Sequence, residues 1–427
     1  MRTSVDLLVV EASEVVTVAG GEPGPLCGAA MDDAGVIPQG AVAIAEGRVV
    51  AVGPQPEIEA RFDASERVSA QGGTVIPGLV DPHTHPVFAA TREGEFDARS
   101  RGADYQAITA AGGGIFSSVR RLREASPEQL AERLRAHLDR FLACGTTSIE
   151  AKSGYGLTPE TEWLALELLR DVGAEHPVDI DATCLAAHQV PPEFAADRDA
   201  YVRVVCEEIL PEVARRGLAR SADVFCDQGA YTIDEARRVL EAARELGLAR
   251  RVHADELAPV GAAELAAACG AQTADHLVCI SDAGIDALAA AGTTAVLLPG
   301  TCFSLRLSEV APARRMIEAG VPVALATDFN PGTCHIPSMI EIIALACGLL
   351  GMTVAEALVA ATRNAACTLG LPGTRGVLEP GALADLLVLD IPNHLFLGYQ
   401  SGWNPVREVL KAGKRVASRE AAAPTLL

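Results

Sequence analysis

The chain predicts an α/β fold, a (β/α)8 barrel of TIM type with a small β-sandwich domain built from both termini. Two observations lead there. Through the middle of the 427 residues, short apolar runs alternate with helix-like segments of roughly 10–15 residues, the pattern of a parallel sheet. The two ends lack this alternation and read as short strands punctuated by Gly/Pro turns. Residues 1–75 and 376–427 are therefore expected to form the composite β domain, and residues 76–375 the barrel.

Taken in order, residues 5–18 and 41–53 supply the N-terminal strands, with Val5-Asp6-Leu7-Leu8-Val9-Val10 and Ala41-Val42-Ala43-Ile44 as their apolar cores. Val75-Ile76-Pro77-Gly78-Leu79-Val80 reads as one short buried strand that opens the barrel. Residues 94–118 form a longer, less periodic insertion, and loops of that length on a catalytic face serve as lids or binding elements. Pro127–Leu142 and Pro159–Val172 have apolar residues at helical spacing and proline in the first turn. Strands are expected at Thr147–Ala151 and Ala182–Ala187, and Ala-rich helices at Ala262–Ala268 and Ala355–Ala361. Strand character returns at Gly381–Asp390 and Val406–Val416.

A hydrophobic content of 49% is ample for a large core. The net charge of −21 argues against nucleic acid or acidic membrane surfaces as partners. No apolar run approaches a membrane span, and Met1-Arg2-Thr3-Ser4-Val5-Asp6 lacks a signal-peptide layout, so a cytoplasmic protein is expected. The 11 cysteines form no CxxC pair and read as thiols of a reducing compartment. Within an acidic protein, an anionic small-molecule substrate requires a local cationic clamp, for which arginine is best suited.

The chemistry concentrates at the ends of the apolar runs. His83-Thr84-His85 follows the first, and period-two geometry points both imidazoles to one side, where neutral rings can hold one divalent metal. Downstream come His253-Ala254-Asp255-Glu256, Asp275-His276 and Thr327-Asp328. A parallel barrel gathers its chemistry at the C-terminal ends of its strands. Histidines ending the first, fifth and sixth units and an aspartate ending the eighth then converge on one mouth. Glu256 lies where the strand has ended and the chain curls back, so its carboxyl can shuttle a proton. The competing reading makes it the cap of a helix beginning near Pro259. His276, with Asp275 as an orienting neighbour, either stabilises developing charge or is a satisfied core histidine. His137, His176, His335 and His394 have no strand-end context and read as structural or surface residues.

Further motifs extend this order: Pro82-His83-Thr84-His85-Pro86-Val87-Phe88 with Arg92-Glu93, Gly112-Gly113-Gly114-Ile115, Lys152-Ser153-Gly154-Tyr155-Gly156, Ala187-His188, and Ala326-Thr327-Asp328-Phe329-Asn330-Pro331-Gly332-Thr333. Together they resemble the amidohydrolase superfamily of metal-dependent barrels. Within it they are similar to the branch that opens the ring of 4-imidazolone-5-propanoate to N-formimidoyl-L-glutamate in histidine degradation. The resemblance runs through essentially the whole chain. It implies a ligand set of His83, His85, His253 and Asp328 for one divalent metal per subunit, zinc or iron. It implies catalytic roles for Glu256, His276 and Asp328. Arg92, Tyr155 and His188 are implied as substrate contacts, with Glu256, with Tyr105 on the insertion, and with Asn330, Gly332 and Thr333 beyond Asp328. It also implies a homodimer. Some barrels of the superfamily bridge two metals with a carbamylated lysine; Lys152 follows an early strand and is not expected to do so. Two rivals remain at this point, a cytosine- or guanine-type deaminase and a barrel that has lost its metal.

Overall fold

A computed structural model describes residues 2–103 and 112–419; Tyr105 lies outside them. Eight parallel strands form the central sheet: β1 (Leu79–Asp81), β2 (Thr146–Lys152), β3 (Asp179–Ala187), β4 (Ser221–Cys226), β5 (Ala249–Ala254), β6 (Thr273–His276), β7 (Thr294–Leu297) and β8 (Val323–Leu325). Each pairs with its successor in the chain. Helices outside and packed side chains inside bury both faces, so β2 is buried along its whole length. Serine or threonine begins several helices: Ser126, Thr232 and Thr353 close capping boxes with Gln129, Glu235 and Glu356. Among the described residues no helix is long and apolar enough to cross a membrane.

The barrel closes through the segments that follow its two shortest strands. Beyond β1 and β8, Asp328 N donates to the His83 carbonyl at 3.1 Å, and His85 N donates to the Phe329 carbonyl at 2.9 Å. Below them the buried Asp81 carboxylate accepts from Thr327 N at 3.0 Å and Thr327 Oγ1 at 2.6 Å.

Two further sheets make a sandwich. One contains Thr3–Val10, Gly40–Ala45, Arg48–Pro54 and Phe62–Ser69. The other joins Glu14–Val16, Val36–Pro38 and Thr74–Pro77 to the C-terminal strands Leu386–Leu389, Val406–Lys411 and Lys414–Ser418. Leu7, Val9, Val42 and Ile44 of the first sheet share a buried core with Val75, Leu386, Val388 and Leu410 of the second. The apolar run at 75–80 is two strands in two different sheets. They break at Gly78, where a Cβ would lie 2.5 Å from Thr147 Oγ1. The insertion at 94–118 also differs from its reading, since it carries helices Glu93–Ser100 and Ile115–Glu124. The first buries no residue, so no apolar stripe marks it in the sequence.

Asp81→Ala should destabilise the fold by at least roughly 1–3 kcal/mol, because both Thr327 donors are then stranded in a buried seam. Chemical denaturation with an unchanged midpoint and slope would show that closure does not depend on Asp81.

Candidate metal centre and active site

The seam delivers two imidazoles and a carboxylate to one point. His83 Nε2 and His85 Nε2 lie 3.2 Å apart, and Asp328 Oδ1 lies 3.6 Å from the first and 3.4 Å from the second. His253, the penultimate residue of β5, brings its ring centroid to 4.5 Å from that of His83. His276 ends β6, with its centroid 5.3 Å from that of His253. Two overlapping sets of potential ligands result, His83/His85/His253 and His83/His276/Asp328. His188 belongs to neither set. Asp328 and His276 both have positive φ, +53° and +76°, a backbone state that costs an ordinary residue of order 1–3 kcal/mol and clusters at functional sites.

The donor atoms fit a metal. Two nitrogens bound tetrahedrally at about 2.0–2.1 Å lie roughly 3.3 Å apart, close to the separations seen here. Burial lowers the His83 and His85 imidazoles well below their usual range, so both are neutral and offer lone pairs. Both ring nitrogens of His253 are buried with no hydrogen-bond partner among the described residues, and Nδ1 lies at ion-pair distance from a carboxylate. Asp328 turns Oδ1 to the imidazoles while its Oδ2 accepts from Thr301 Oγ1 at 2.5 Å.

Behind the ligands stand carboxylates that sequence reasoning missed. His83 Nδ1 meets Asp275 Oδ2 at 2.6 Å, and His253 Nδ1 lies 3.1 Å from Asp223 Oδ2. Asp275 therefore orients His83, not its neighbour His276. Both pairings leave Nε2 as the nitrogen available to a metal, the usual role of a carboxylate behind a metal-binding histidine. The one signal for Asp223 was its place inside the apolar run Ala222-Asp223-Val224-Phe225, where a charge needs a partner.

Glu256 occupies the curl after β5, made possible by φ +49° at Asp255. Asp255, not Glu256, caps the helix Ala262–Ala268: its carboxylate accepts from the backbone N–H groups of residues 260–263 at 2.9–3.1 Å. Asp227, just beyond β4, fixes the curl by accepting from Glu256 N, Leu257 N and Ala258 N at 2.6–3.1 Å. Glu256 is thereby free to face the site, with Oε1 3.6 Å from His276 Nδ1. Burial lifts its carboxyl to about 8, and the Asp328 charge pushes the same way. Burial also lowers His276 to about 3, so that ring acts as a neutral imidazole.

The remaining expected contacts ring the mouth. His188 stacks on His85 with centroids 5.4 Å apart, and its Nδ1 lies 3.0 Å from the Gly154 carbonyl. Tyr155 is buried 5.4 Å from the His188 ring, in a loop held by Glu162 and by Arg123, which donates to the Gly156 carbonyl at 2.7 Å. Arg92 caps the start of helix Glu93–Ser100, and its guanidinium lies on Gly332, where a Cβ would meet Nη2 at 1.2 Å. Arg92 Nε is buried with no hydrogen-bond partner among the described residues. The Asn330 amide is engaged in its own turn, bonding the Asp328 carbonyl, Thr333 Oγ1, Gly332 N and Thr333 N at 2.7–2.8 Å. Its side chain thereby shapes the surface presented by Gly332 and Thr333.

An eight-stranded barrel with histidines and acids at its C-terminal mouth is the architecture of a metal-dependent hydrolase. Residues 74–416 match the amidohydrolase family model, and the chain belongs to that family. Within it, the chain is 49% identical over 416 residues to the imidazolonepropionase of Geobacillus kaustophilus strain HTA426, covering 96% of this chain and 98% of the relative. It is 47% identical over 382 residues to the imidazolonepropionase of Haloarcula marismortui, covering 89% and 90%. These relatives place it among the imidazolonepropionases. Solved structures share the fold at greater distance. A zinc-bound adenosine deaminase from Xanthomonas campestris superposes with a TM-score of 0.72 at 21% identity, covering 97% of this chain and 93% of that one. A 5-methylcytosine deaminase from Klebsiella pneumoniae gives 0.73 at 19%, covering 97% and 99%.

Elemental analysis should find one divalent metal per chain. His253→Ala should release it, with a loss of affinity beyond the roughly 10–100-fold that a missing outer-shell partner causes. Two metals per active chain would contradict the single centre and make Lys152 and His188 candidate ligands of the second.

Proposed function

We propose that this chain hydrolyses the ring C–N amide bond of 4-imidazolone-5-propanoate, giving N-formimidoyl-L-glutamate in histidine degradation. The observation that carries the reading is Arg92, a guanidinium with an unmatched buried N–H at the rim of a metal-type pocket. Among the described residues that Nε makes no hydrogen bond and lies 3.8 Å from Glu95 Oε2, so the fork keeps donors for a propanoate carboxylate, which a neutral nucleobase lacks. The near full-length relatives point to the same activity, whereas the deaminases match in fold alone.

His83, His85, His253 and Asp328 hold the metal, zinc or iron, both of which suit an imidazole and carboxylate donor set. When bound, it supplies the acidification of a water molecule, from a pKa of about 15.7 toward about 7. Asp328 and Glu256 both face the pocket, close enough for the Asp328 charge to act on the Glu256 carboxyl. Oxygen adds to the carbonyl carbon, and the neutral His276 ring donates its N–H to the oxygen that gains charge. Glu256, protonated below about 8, gives its proton to the ring nitrogen as the C–N bond breaks. Asp328 takes one proton from the attacking water and passes it to the Glu256 carboxylate left after C–N cleavage, which restores both acids, while the other proton stays with the new carboxyl group. Arg92 binds the propanoate, supported by the Gly332–Thr333 surface, while Tyr155 and His188 flank the ring; Tyr105 is proposed with them from sequence.

On this reading residues 1–75 and 376–427 form the supporting β domain, and 76–375 the catalytic unit. The unpaired thiols suit a cytoplasmic enzyme. Packed helices Met339–Leu350 and Phe396–Tyr399, which leave Leu349 and Tyr399 exposed, support pairing of two subunits.

Glu256→Gln should keep fold and metal and lower kcat by about 10²–10⁴-fold, the usual contribution of a general acid–base group. A loss under about threefold would move the proton transfer to His276 or Asp328. Arg92→Lys keeps the charge but loses the planar fork, so substrate binding should weaken about ten-fold or more with metal content unchanged. A variant that handles the full substrate as well as the wild type would mean that the carboxylate is held elsewhere.

A further inference from the structure

Beneath the metal pocket, inside the barrel, lies a lysine that the mechanism above does not use. Lys152 ends β2 and is fully buried, with Nζ 2.8 Å from Glu150 Oε1, 2.8 Å from Asp223 Oδ2 and 3.9 Å from Asp275 Oδ2. The strand register explains the convergence. Glu150 and Lys152 are two apart on β2 and share one face. His253 on β5 lies level with Asp275 on β6 and with Phe225 on β4, two residues beyond Asp223. Side chains of neighbouring strands thus converge in the interior, with Asp275 level with His253 and Asp223 two residues below it.

Among the described residues this ammonium is the cation beside both carboxylates behind the imidazoles, in contact with Asp223 at 2.8 Å and at ion-pair distance, 3.9 Å, from Asp275. Asp223 Oδ2 is 3.1 Å from His253 Nδ1 and Asp275 Oδ2 is 2.6 Å from His83 Nδ1, and each of those same oxygens faces Lys152. Burying a charge costs several kcal/mol unless it is paired, and here one cation is shared among three buried acids. Without it, the aspartates repel each other and Glu150 across a dry interior, and nothing sets their angle to the rings.

We propose that Lys152 is a positioning residue of the metal centre: its ammonium ties Asp223 to Asp275, and through them it holds His253 and His83 with Nδ1 engaged and Nε2 presented to the metal. The ammonium touches no substrate, and its place between the carboxylates keeps it from serving as a metal bridge itself. The inference rests on the metal reading of the site but not on the identity of the substrate.

The test is zinc affinity, measured by competition between the apo-protein and a chromophoric chelator. Two variants are compared with the wild type, Lys152→Met and the double variant Glu150→Gln/Lys152→Met. The double variant keeps the net charge of the buried group while removing the bridge, and is the one to rely on should the single variant fail to fold. Both should bind zinc about 10–100-fold more weakly, the penalty for a lost outer-shell partner. Restoration of wild-type affinity in the folded double variant would overturn the proposal, because the number of charges and not the bridge would then matter. Unchanged affinity in both variants would overturn it equally. A wild-type protein that binds no zinc would instead refute the metal reading on which the proposal stands. Independently of any variant, ¹⁵N spectra of the zinc-loaded wild type should show His83 and His253 protonated at Nδ1. A proton at Nε2 of either ring would contradict the arrangement.

Discussion

Closure of the barrel is the constraint on which the site depends. β1 and β8 are each three residues long, and the ladder between them is completed by the residues just beyond their ends: Asp328 N bonds the His83 carbonyl, and His85 N bonds the Phe329 carbonyl. Three of the four backbone groups that close the sheet therefore belong to His83, His85 and Asp328, whose side chains are in the proposed ligand set. Asp81 and Thr327 lock the same seam from below. A shift of one residue in this pairing would turn His83 and His85 away from Asp328, so fold and site are specified by one register. The positive φ of Asp328 is where the chain leaves β8 and aims its carboxylate inward.

Burial then determines the chemistry of the groups that the seam assembles. A dry interior disfavours charge, so it keeps the His83 and His85 imidazoles neutral and lifts the Glu256 carboxyl. The same dryness makes every buried acid need a partner, and the interior meets this need with Lys152 beneath the centre and backbone N–H groups around Asp227 and Asp255. Those backbone contacts have a functional consequence. By tying down residues 256–258 through Asp227 and the following helix through Asp255, they leave the Glu256 carboxyl uncommitted beside His276. Support and reactivity thus fall to adjacent acids with opposite environments.

Much of this was legible in the sequence, because order along a (β/α)8 chain becomes convergence at one mouth. His83, His85, His253, His276 and Asp328 could be grouped from strand ends alone, and the terminal strands could be recognised from their turns. The features that escaped were properties of pairing across the barrel. Asp223, Glu150 and Asp81 sit within or next to apolar runs, and nothing local says which distant residue meets them. Asp275 was seen, but its partner is His83, 192 residues away, and not the adjacent His276. The helix Glu93–Ser100 escaped for a different reason, since it covers the mouth rather than the core and has no apolar stripe to betray it. Gly78, read as part of one strand, is the break that lets a single run serve two sheets.

The central claim is that this mouth opens a ring by hydrolysis and does not remove an amine. The direct measurement is to incubate the metal-loaded protein with 4-imidazolone-5-propanoate, following the loss of imidazolone absorbance together with product and ammonia. N-formimidoyl-L-glutamate is expected in one-to-one proportion to substrate consumed, with no ammonia released at the same rate. Ammonia appearing in step with substrate loss, or a metal-loaded protein that leaves the imidazolone intact, would contradict it.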